Sequence, residues 1–233
     1  MEIAGLQKVS LIDFPGRISS SIFLFGCNLR CGYCHNPSLV TRRPDKIYPE
    51  KEILDFLLSR TKYLEGVCIT GGEPLMSLDI DFVKKIKAMG FAVKIDSNGS
   101  YPEKLKELID AKLIDYAAID IKAGKENYAK VCGAPIDLNK IEQSIRIVSA
   151  LPEYEFRTTV TNKYHTEDEI LSIAKWLNSI AGKKPKRYAL QGFKNSGDLL
   201  FESFKSEPDT PHETLARMRE KVKGYFGEIA VRD

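Results

Sequence analysis

The sequence has no long apolar segment. Its 233 residues are 43% hydrophobic, but no run approaches the roughly 20 apolar residues that a membrane-spanning helix requires. The amino-terminal residues do not show a basic stretch followed by an apolar block, which is the pattern of a secretion signal. We therefore expect a cytoplasmic protein with reduced thiols and no membrane partner.

A marked excess of charge of either sign is also lacking. The 35 lysines and arginines nearly balance the 32 aspartates and glutamates, and the formal net charge is only +3. A nucleic-acid-binding protein usually concentrates its basic residues in a patch or stripe. The charges of this chain are interspersed, so we expect no nucleic-acid partner.

Cysteine is scarce and unevenly placed. The chain has five cysteines, and three of them lie within residues 27–34 with the spacing Cys-x3-Cys-x2-Cys. An odd number with three crowded together argues against a disulfide framework and for metal or redox chemistry. The other two cannot ligate a second 4Fe–4S cluster alone. Of these, Cys68 is most simply a buried core residue, and Cys132 has no evident role.

Three kinds of site compete for the clustered cysteines. Cys31 and Cys34 alone form a redox Cys-x-x-Cys motif, but this leaves Cys27 unused. A structural zinc site needs a fourth ligand, and His35 is adjacent to Cys34, which makes joint tetrahedral ligation awkward. A 4Fe–4S cluster with one open iron uses all three thiolates, and we favour this interpretation.

Apolar strand-like segments alternate with amphipathic helical segments along most of the chain. Six such strands are predicted, at residues 18–25, 67–70, 91–95, 116–121, 156–160 and 187–190. The alternation predicts a parallel sheet, and six units are too few to close an eight-stranded barrel. We therefore predict one α/β domain over residues 1–233, a partial (β/α)6 TIM-like barrel. Its core spans about 18–193, followed by a carboxyl-terminal helix and extended piece at 194–233, while residues 1–16 form short extended pieces.

Polar residues collect just after the predicted strands. Residues 71–73 are Gly-Gly-Glu, residues 96–99 are Asp-Ser-Asn-Gly, and Asp120 and Lys122 end the fourth strand. The carboxyl ends of parallel strands form the rim on which barrels build their sites, so we expect these residues to converge with the cysteines. Each segment also has an ordinary interpretation, as a glycine turn, an Asn-Gly turn and an exposed ion pair.

The cysteine spacing, with Tyr33 directly before the third cysteine, resembles the signature of radical S-adenosylmethionine enzymes. The resemblance implies that the amino and carboxylate groups of S-adenosylmethionine bind the fourth iron, and that reduction of the sulfonium releases a 5′-deoxyadenosyl radical. It also implies that Tyr33 lies against the adenine. Gly71-Gly72-Glu73 resembles the superfamily's Gly-Gly-Glu motif, in which Glu73 receives the methionine amino group and the glycines let the backbone approach a ligand closely.

The polar segments at residues 96–99 and 120–122 resemble segments of glycyl-radical activating enzymes that contact S-adenosylmethionine. This implies that Lys122 neutralises the methionine carboxylate and that Ser97 and Asn98 contact the ribose or the methionine. It also implies that Asp96 and Asp120 bind a monovalent cation, for which oxygen ligands are suited.

Arg157 lies inside a predicted strand, where an unpaired charge is costly. It either faces the interior and a carboxylate ligand, as a similar arginine does in activating enzymes, or forms a salt bridge with Glu155 or Glu153.

Two further segments point to one group of activating enzymes. His35 and Asn36 after the last cysteine resemble glycyl-radical activating enzymes, and residues 5–16 resemble activating proteins of anaerobic ribonucleotide reductase. The resemblance covers residues 1 to about 193 and includes no cysteine-rich insert. It implies that the radical removes hydrogen from a glycine of the reductase large subunit, with electrons from a donor such as flavodoxin or ferredoxin. The alternatives are activation of pyruvate formate-lyase or another glycyl-radical enzyme, action on a small molecule, and a cysteine-ligated zinc-binding module.

Overall fold

The computed structural model describes residues 1–41 and 44–233. Within these residues the strands are β1 (Ile3–Ser10), β2 (Ser19–Leu24), β3 (Gly66–Gly71), β4 (Ala92–Ser97), β5 (Tyr116–Asp120), β6 (Tyr154–Val160), β7 (Arg187–Gly192) and β8 (Glu228–Arg232). The helices are α1 (Glu50–Leu58), α2 (Ile80–Ala88), α3 (Pro102–Asp110), α4 (Tyr128–Cys132), α5 (Leu138–Ser149), α6 (Glu167–Ala181) and α7 (His212–Val222). No helix among the described residues is both long and apolar enough to cross a bilayer.

The chain divides into two compact units, and β5 contributes to both. The first unit comprises Met1–Asn28, Ser38–Ser97 and Glu103–Ala117. The second comprises Leu29–Pro37, Asn98–Pro102 and Ala118–Asp233. The prediction of a single domain over residues 1–233 stays a prediction.

In the first unit, β1 pairs antiparallel with β2, and β2, β3 and β4 are parallel neighbours. Asp115, directly before β5, donates its N–H to the Val93 carbonyl at 2.8 Å, and its carboxylate accepts from the Val93 N–H at 2.7 Å. Asp79 begins α2 by accepting the Asp81 N–H with its side chain, which satisfies a free helical donor. Apolar residues of these strands, such as Ile22 and Val67, are fully buried, because helices cover a parallel sheet.

In the second unit, β6, β7 and β8 are parallel neighbours. The end of β5 lies beside β6, since the Ile121 N–H donates to the Arg157 carbonyl at 2.7 Å. Thr166 begins α6 by accepting the Glu169 N–H, and this helix packs against α5 and α7. The rings of Tyr188 and Phe226 stack at 4.5 Å in the core of this unit.

The six predicted strands correspond to β2–β7, with bounds that differ by at most two residues. The structure adds β1 and β8 where only extended pieces were predicted. The pairing of β1 with β2 has register irregularities between Ile3 and Gly5 and between Gln7 and Ser10. These interruptions disturb the alternation of buried and exposed side chains by which a strand is recognised in a sequence. The short helix α4 was not predicted.

Candidate active site

The backbone at the end of β3 lies directly against the backbone at the end of β2. In the first unit, the Gly72 N–H donates to the Leu24 carbonyl at 3.0 Å, and the Glu73 N–H donates to the Gly26 carbonyl at 2.7 Å. These bonds continue the pairing of the two strands past their ends. They place the loop that carries Cys27 beside Gly72. A Cβ atom added to Gly72 would lie 3.1 Å from the Cβ of Cys27.

The two glycines are needed for this contact. Gly71 has a φ of +130°, and a Cβ on Gly71 would overlap the backbone of Leu24. A Cβ on Gly72 would overlap the carbonyl of Gly26. Packing of the chain against itself is therefore a reason for glycine at both positions, in addition to the ligand approach that the sequence suggests.

Glu73 is fully buried and has two defined hydrogen bonds through one oxygen. Its Oε1 accepts from the Leu75 N–H at 3.1 Å and from the Ser97 hydroxyl at 2.9 Å. The first bond caps the 3₁₀ turn Pro74–Met76. The structure thus brings together two predicted site residues, Glu73 and Ser97, and a carboxylate held in this way is a strong acceptor for an ammonium group.

Asp96 has a buried cationic partner that the sequence analysis did not identify. The Lys94 ammonium contacts Asp96 Oδ1 and lies 3.8 Å from the Cys68 sulfur, while the Lys94 side chain is only 2% exposed. Cys68 itself is fully buried, as predicted. The available signal was a lysine two positions before Asp96 in an apolar strand, since alternate strand residues point to the same face.

In the second unit, Cys31 and Cys34 occupy a tight turn in which the Cys34 N–H donates to the Cys31 carbonyl at 3.0 Å. A hydrogen bond from the Cys132 thiol lowers the pKa of Cys31 to about 7; burial opposes this shift and the Lys122 charge assists it. Burial raises the pKa of Cys34, although its sulfur accepts from the Asn36 N–H at 3.4 Å. Cys31 therefore loses its proton more readily than an ordinary cysteine, and the thiolate is the form that iron binds.

Tyr33 lies between these cysteines and is buried. Its ring packs on Phe204 at 5.9 Å and Tyr164 at 6.5 Å. Its hydroxyl is buried and has no hydrogen-bond partner among the residues that the structure describes. Such a group costs about 1–3 kcal/mol, so a bound ligand with an acceptor would satisfy it. Burial, followed by the nearby Cys31 charge, raises the pKa of this hydroxyl and keeps it a donor.

Asp120, Lys122 and Arg157 form one ion-pair network. Asp120 accepts from Lys122 Nζ at 2.9 Å and from Arg157 Nε at 2.8 Å, and Arg157 Nη1 also lies 4.0 Å from Glu155. Burial alone would raise the pKa of Asp120, but the charges of Arg157 and Lys122 hold it well below its usual range. Burial lowers the pKa of Lys122. The negative charge of Asp120 outweighs this effect, so the pKa of Lys122 is raised above its usual value.

Glu155 has a different principal partner. Arg232 of β8 donates to both of its carboxylate oxygens, at 3.1 and 2.7 Å. This bidentate pair was not predicted, because the two residues are 77 positions apart.

His165 is a buried residue that supports Lys122 and was missed as a site residue. Its Nδ1 accepts the Thr161 N–H at 3.0 Å, which assigns the proton to Nε2, and Nε2 donates to the Lys122 carbonyl at 2.9 Å. Burial lowers the pKa of His165 and favours this neutral form. His165 thus positions the backbone at residue 122.

A segment after β7 packs on the cysteine turn. The Leu200 N–H donates to the Cys34 carbonyl at 3.2 Å, and the Phe201 N–H donates to the Gly32 carbonyl at 3.0 Å. A Cβ on Gly32 would lie 2.7 Å from the Phe204 ring. The sequence held no signal for this packing, because the segment lacks a regular hydrophobic period.

The Asn98 side chain stabilises the turn in which it lies. Its Oδ1 accepts the Ser100 N–H at 3.0 Å, Gly99 has a φ of +80°, and the Gly99 carbonyl accepts from Ser144 at 2.7 Å. The ordinary interpretation of this segment as an Asn-Gly turn is therefore confirmed. A ligand contact by Asn98 stays a prediction.

The predicted cluster ligands are divided between the units. Cys27 belongs to the first, and Cys31 and Cys34 belong to the second. Within residues 1–41 and 44–233, no group of three or more histidine, cysteine, aspartate or glutamate side chains is gathered for a metal ion. The convergence of the two sets on one rim stays a prediction.

Comparison with known proteins identifies the family. The pattern of the radical SAM superfamily matches residues 21–177. A Methanocaldococcus jannaschii protein, MJ1227, assigned as a glycyl-radical enzyme activating enzyme, is 34% identical over 99% of this chain and 95% of its own length. The chain therefore belongs to the radical SAM superfamily, in the family of glycyl-radical enzyme activating enzymes.

Two further matches bear on the relatives and on the fold. The pyruvate formate-lyase-activating enzyme of Clostridium pasteurianum is 35% identical over 51% of this chain and 53% of its own length. The crystal structure of Streptococcus suis SuiB bound to S-adenosylmethionine has a TM-score of 0.62 at 15% identity, over 92% of this chain and 46% of that chain. This likeness confirms the predicted fold class, α/β with a mostly parallel sheet.

As a member of this family, the protein is an enzyme that generates a radical. Membership also implies that it binds a 4Fe–4S cluster and S-adenosylmethionine. Activating enzymes of this family act on a glycyl-radical enzyme. The residue types present suit these groups, because the chain offers three thiols within residues 27–34, one of them with a lowered pKa, and a buried Tyr33 hydroxyl that has no hydrogen-bond partner among the described residues. The zinc-module alternative is left without support.

Gly71→Ala is expected to lower the free energy of unfolding by about 3 kcal/mol or more, because it adds backbone overlap to left-handed strain. Gly90→Ala is the matched control, since Gly90 has a φ of +90° and nothing within 4 Å of an added Cβ. It should lose only about 1–2 kcal/mol. Urea denaturation of both variants measures the difference, and equal losses would contradict the close contact.

Asp120→Asn is expected to be most destabilising near neutral pH. Because the folded-state pKa of Asp120 is lowered, its stabilisation is fully present above the unfolded value of about 3.9 and is lost as pH falls towards the folded value. The stability difference between wild type and variant should therefore shrink below about pH 4. Urea denaturation of cluster-free protein from acid to neutral pH tests this, with the exposed Asp81→Asn as control. A pH-independent difference would show that Asp120 does not act through its charge.

Proposed function

We propose that this enzyme activates an anaerobic ribonucleoside-triphosphate reductase by removing a hydrogen atom from a glycine Cα of the reductase large subunit. The observation that carries the proposal is the match to a glycyl-radical enzyme activating enzyme over nearly the whole chain. The reductase is preferred because residues 5–16 resemble activating proteins of that enzyme. We also propose that the enzyme works in the cytoplasm and takes electrons from a flavodoxin or ferredoxin.

The three thiols of the cysteine motif are the proposed iron ligands. Cys27, Cys31 and Cys34 would hold a 4Fe–4S cluster and leave one iron for S-adenosylmethionine. When bound, the cluster supplies the electron that splits the sulfonium and yields the 5′-deoxyadenosyl radical. The buried Tyr33 hydroxyl would find its missing acceptor on the bound ligand.

Three charged residues, Glu73, Lys122 and Arg157, are proposed to bind the methionine part of S-adenosylmethionine. Glu73 would accept the amino group, since its carboxylate is buried and oriented by Ser97. Lys122 and Arg157 would bind the carboxylate, with Asp120 holding both cations in place. In this arrangement Asp120 is a positioning residue.

A monovalent cation at Asp96 or Asp120 stays a prediction. Any such ion competes with the side chains that already neutralise these carboxylates. They are Lys94 for Asp96, and Lys122 and Arg157 for Asp120.

Radical formation is tested with anaerobically reconstituted protein, dithionite and S-adenosylmethionine. We expect 5′-deoxyadenosine from the wild type and none above background from Cys27→Ala, Cys31→Ala or Cys34→Ala, each of which removes an iron ligand. Cys68→Ala is the control, because Cys68 is a buried core cysteine outside the motif. Absence of 5′-deoxyadenosine from wild type with a full cluster, or a full cluster in all three variants, would refute the assignment.

The partner is tested by electron paramagnetic resonance. We expect a glycyl-radical doublet when the enzyme is incubated with the reductase large subunit, and none when the partner's radical-site glycine is replaced by alanine. Pyruvate formate-lyase is the second substrate to assay, since its activating enzyme matches half of this chain. A doublet on pyruvate formate-lyase and none on the reductase would replace the proposed partner with the second candidate.

A further inference from the structure

Lys94 is a buried lysine without a role in the proposed reaction. It lies within β4, in the first unit, and only 2% of its side chain is exposed. Lysine is almost never fully buried unless its charge is paired, because an isolated ammonium group loses its hydration in the interior. The surroundings of Lys94 must therefore stabilise the charge, and they show what the charge acts on.

Three groups of the first unit surround the Lys94 ammonium. It contacts the Asp96 carboxylate, lies 3.8 Å from the Cys68 sulfur and lies 5.8 Å from the centre of the Tyr116 ring. Cys68 is opposite Lys94 in the register of β3 and β4, so strand pairing fixes this neighbour. A ring face attracts a cation and a sulfur accepts only weakly, whereas a carboxylate forms a strong charge-assisted hydrogen bond. Asp96 is thus the strongest of these three partners.

Asp96 directly precedes a residue that orients the proposed amino-group acceptor. Ser97 is the last residue of β4, and its hydroxyl donates to Glu73 Oε1 at 2.9 Å. Both Ser97 and Glu73 are buried, so water does not readily replace this bond if it is broken. A shift of the backbone at the end of β4 would move the Ser97 hydroxyl away from Glu73.

We propose that Lys94 is a positioning residue whose ammonium group is the built-in counter-ion of Asp96. By holding Asp96, it fixes the end of β4 and keeps the Ser97 hydroxyl on Glu73. The Asp96 carboxylate thus takes its counter-charge from the chain itself. The inference rests on the proposed function, in which Glu73 binds the amino group of S-adenosylmethionine, and it is independent of which glycyl-radical enzyme is the partner.

Chemical rescue separates the charge of Lys94 from its bulk. Lys94→Ala removes the side chain beyond Cβ, which corresponds to propylammonium, and 1-propanol is the uncharged analogue of that fragment. The dissociation constant of S-adenosylmethionine is measured by equilibrium dialysis with the reconstituted, unreduced holoenzyme. We expect Lys94→Ala to weaken binding by roughly two- to tenfold, the effect of one misplaced hydrogen bond. Propylammonium should restore the affinity in a saturable manner, and 1-propanol should not.

Two further variants serve as controls. Lys84→Ala removes a lysine of the same unit that pairs with Asp81 at 2.8 Å on the exposed face of α2, and it should bind S-adenosylmethionine as the wild type does. Lys94→Met fills the space of the lysine side chain and removes only the charge. It should weaken binding without a response to propylammonium, and it covers the case in which Lys94→Ala does not fold.

A second measurement uses cluster-free protein. Propylammonium should raise the urea midpoint of Lys94→Ala and leave that of the wild type unchanged, with circular dichroism as the readout. Wild-type affinity in Lys94→Ala or Lys94→Met would overturn the inference and leave the proposed function intact. Restoration of Lys94→Ala by both compounds equally, or by neither, would have the same consequence. A wild-type holoenzyme that does not bind S-adenosylmethionine would overturn both.

Discussion

The close backbone contact between the ends of β2 and β3 is the constraint on which the first unit's functional residues depend. Two hydrogen bonds continue the strand pairing into the loops, and Gly71 and Gly72 remove the side chains that would separate them. This contact places Cys27 beside the glycines and begins the turn that buries Glu73. Gly71 and Gly72, which resemble a ligand-binding motif, are thus also required for the packing of the chain against itself.

In the second unit, charged side chains and a reactive thiol are kept away from water. Asp120 joins Lys122 and Arg157 in one ion-pair network. The neutral His165, in the loop after β6, donates a hydrogen bond to the Lys122 carbonyl. The segment around Phe201 pairs with the cysteine turn. Buried charges are stable only when they are paired and hydrogen-bonded, which explains why so many polar groups of this unit are connected.

Much of the fold was predictable because its signal is local. A strand such as β3 is a short apolar run bounded by glycines, and a helix such as α5 has apolar residues at a helical period. β1 was not recognised, because its pairing is interrupted and its side chains do not alternate regularly between buried and exposed. The short helix α4 has too few residues to show a period.

The cysteine spacing, the Gly-Gly-Glu segment and the charged residues after the strands could be read from the sequence, because each lies within a few consecutive residues. The same local pattern was enough to indicate the superfamily and its chemistry. The tertiary structure shows which groups support them: Lys94 beside Asp96, Arg232 on Glu155, His165 behind Lys122, and the Cys132 carbonyl against the Arg30 N–H that precedes Cys31. Three of these four contacts join residues far apart in the chain. In those three, chain folding sets the hydrogen-bond partners, and a one-dimensional pattern does not contain that information. Lys94 and Asp96 are two positions apart on one strand, so their contact had a local signal.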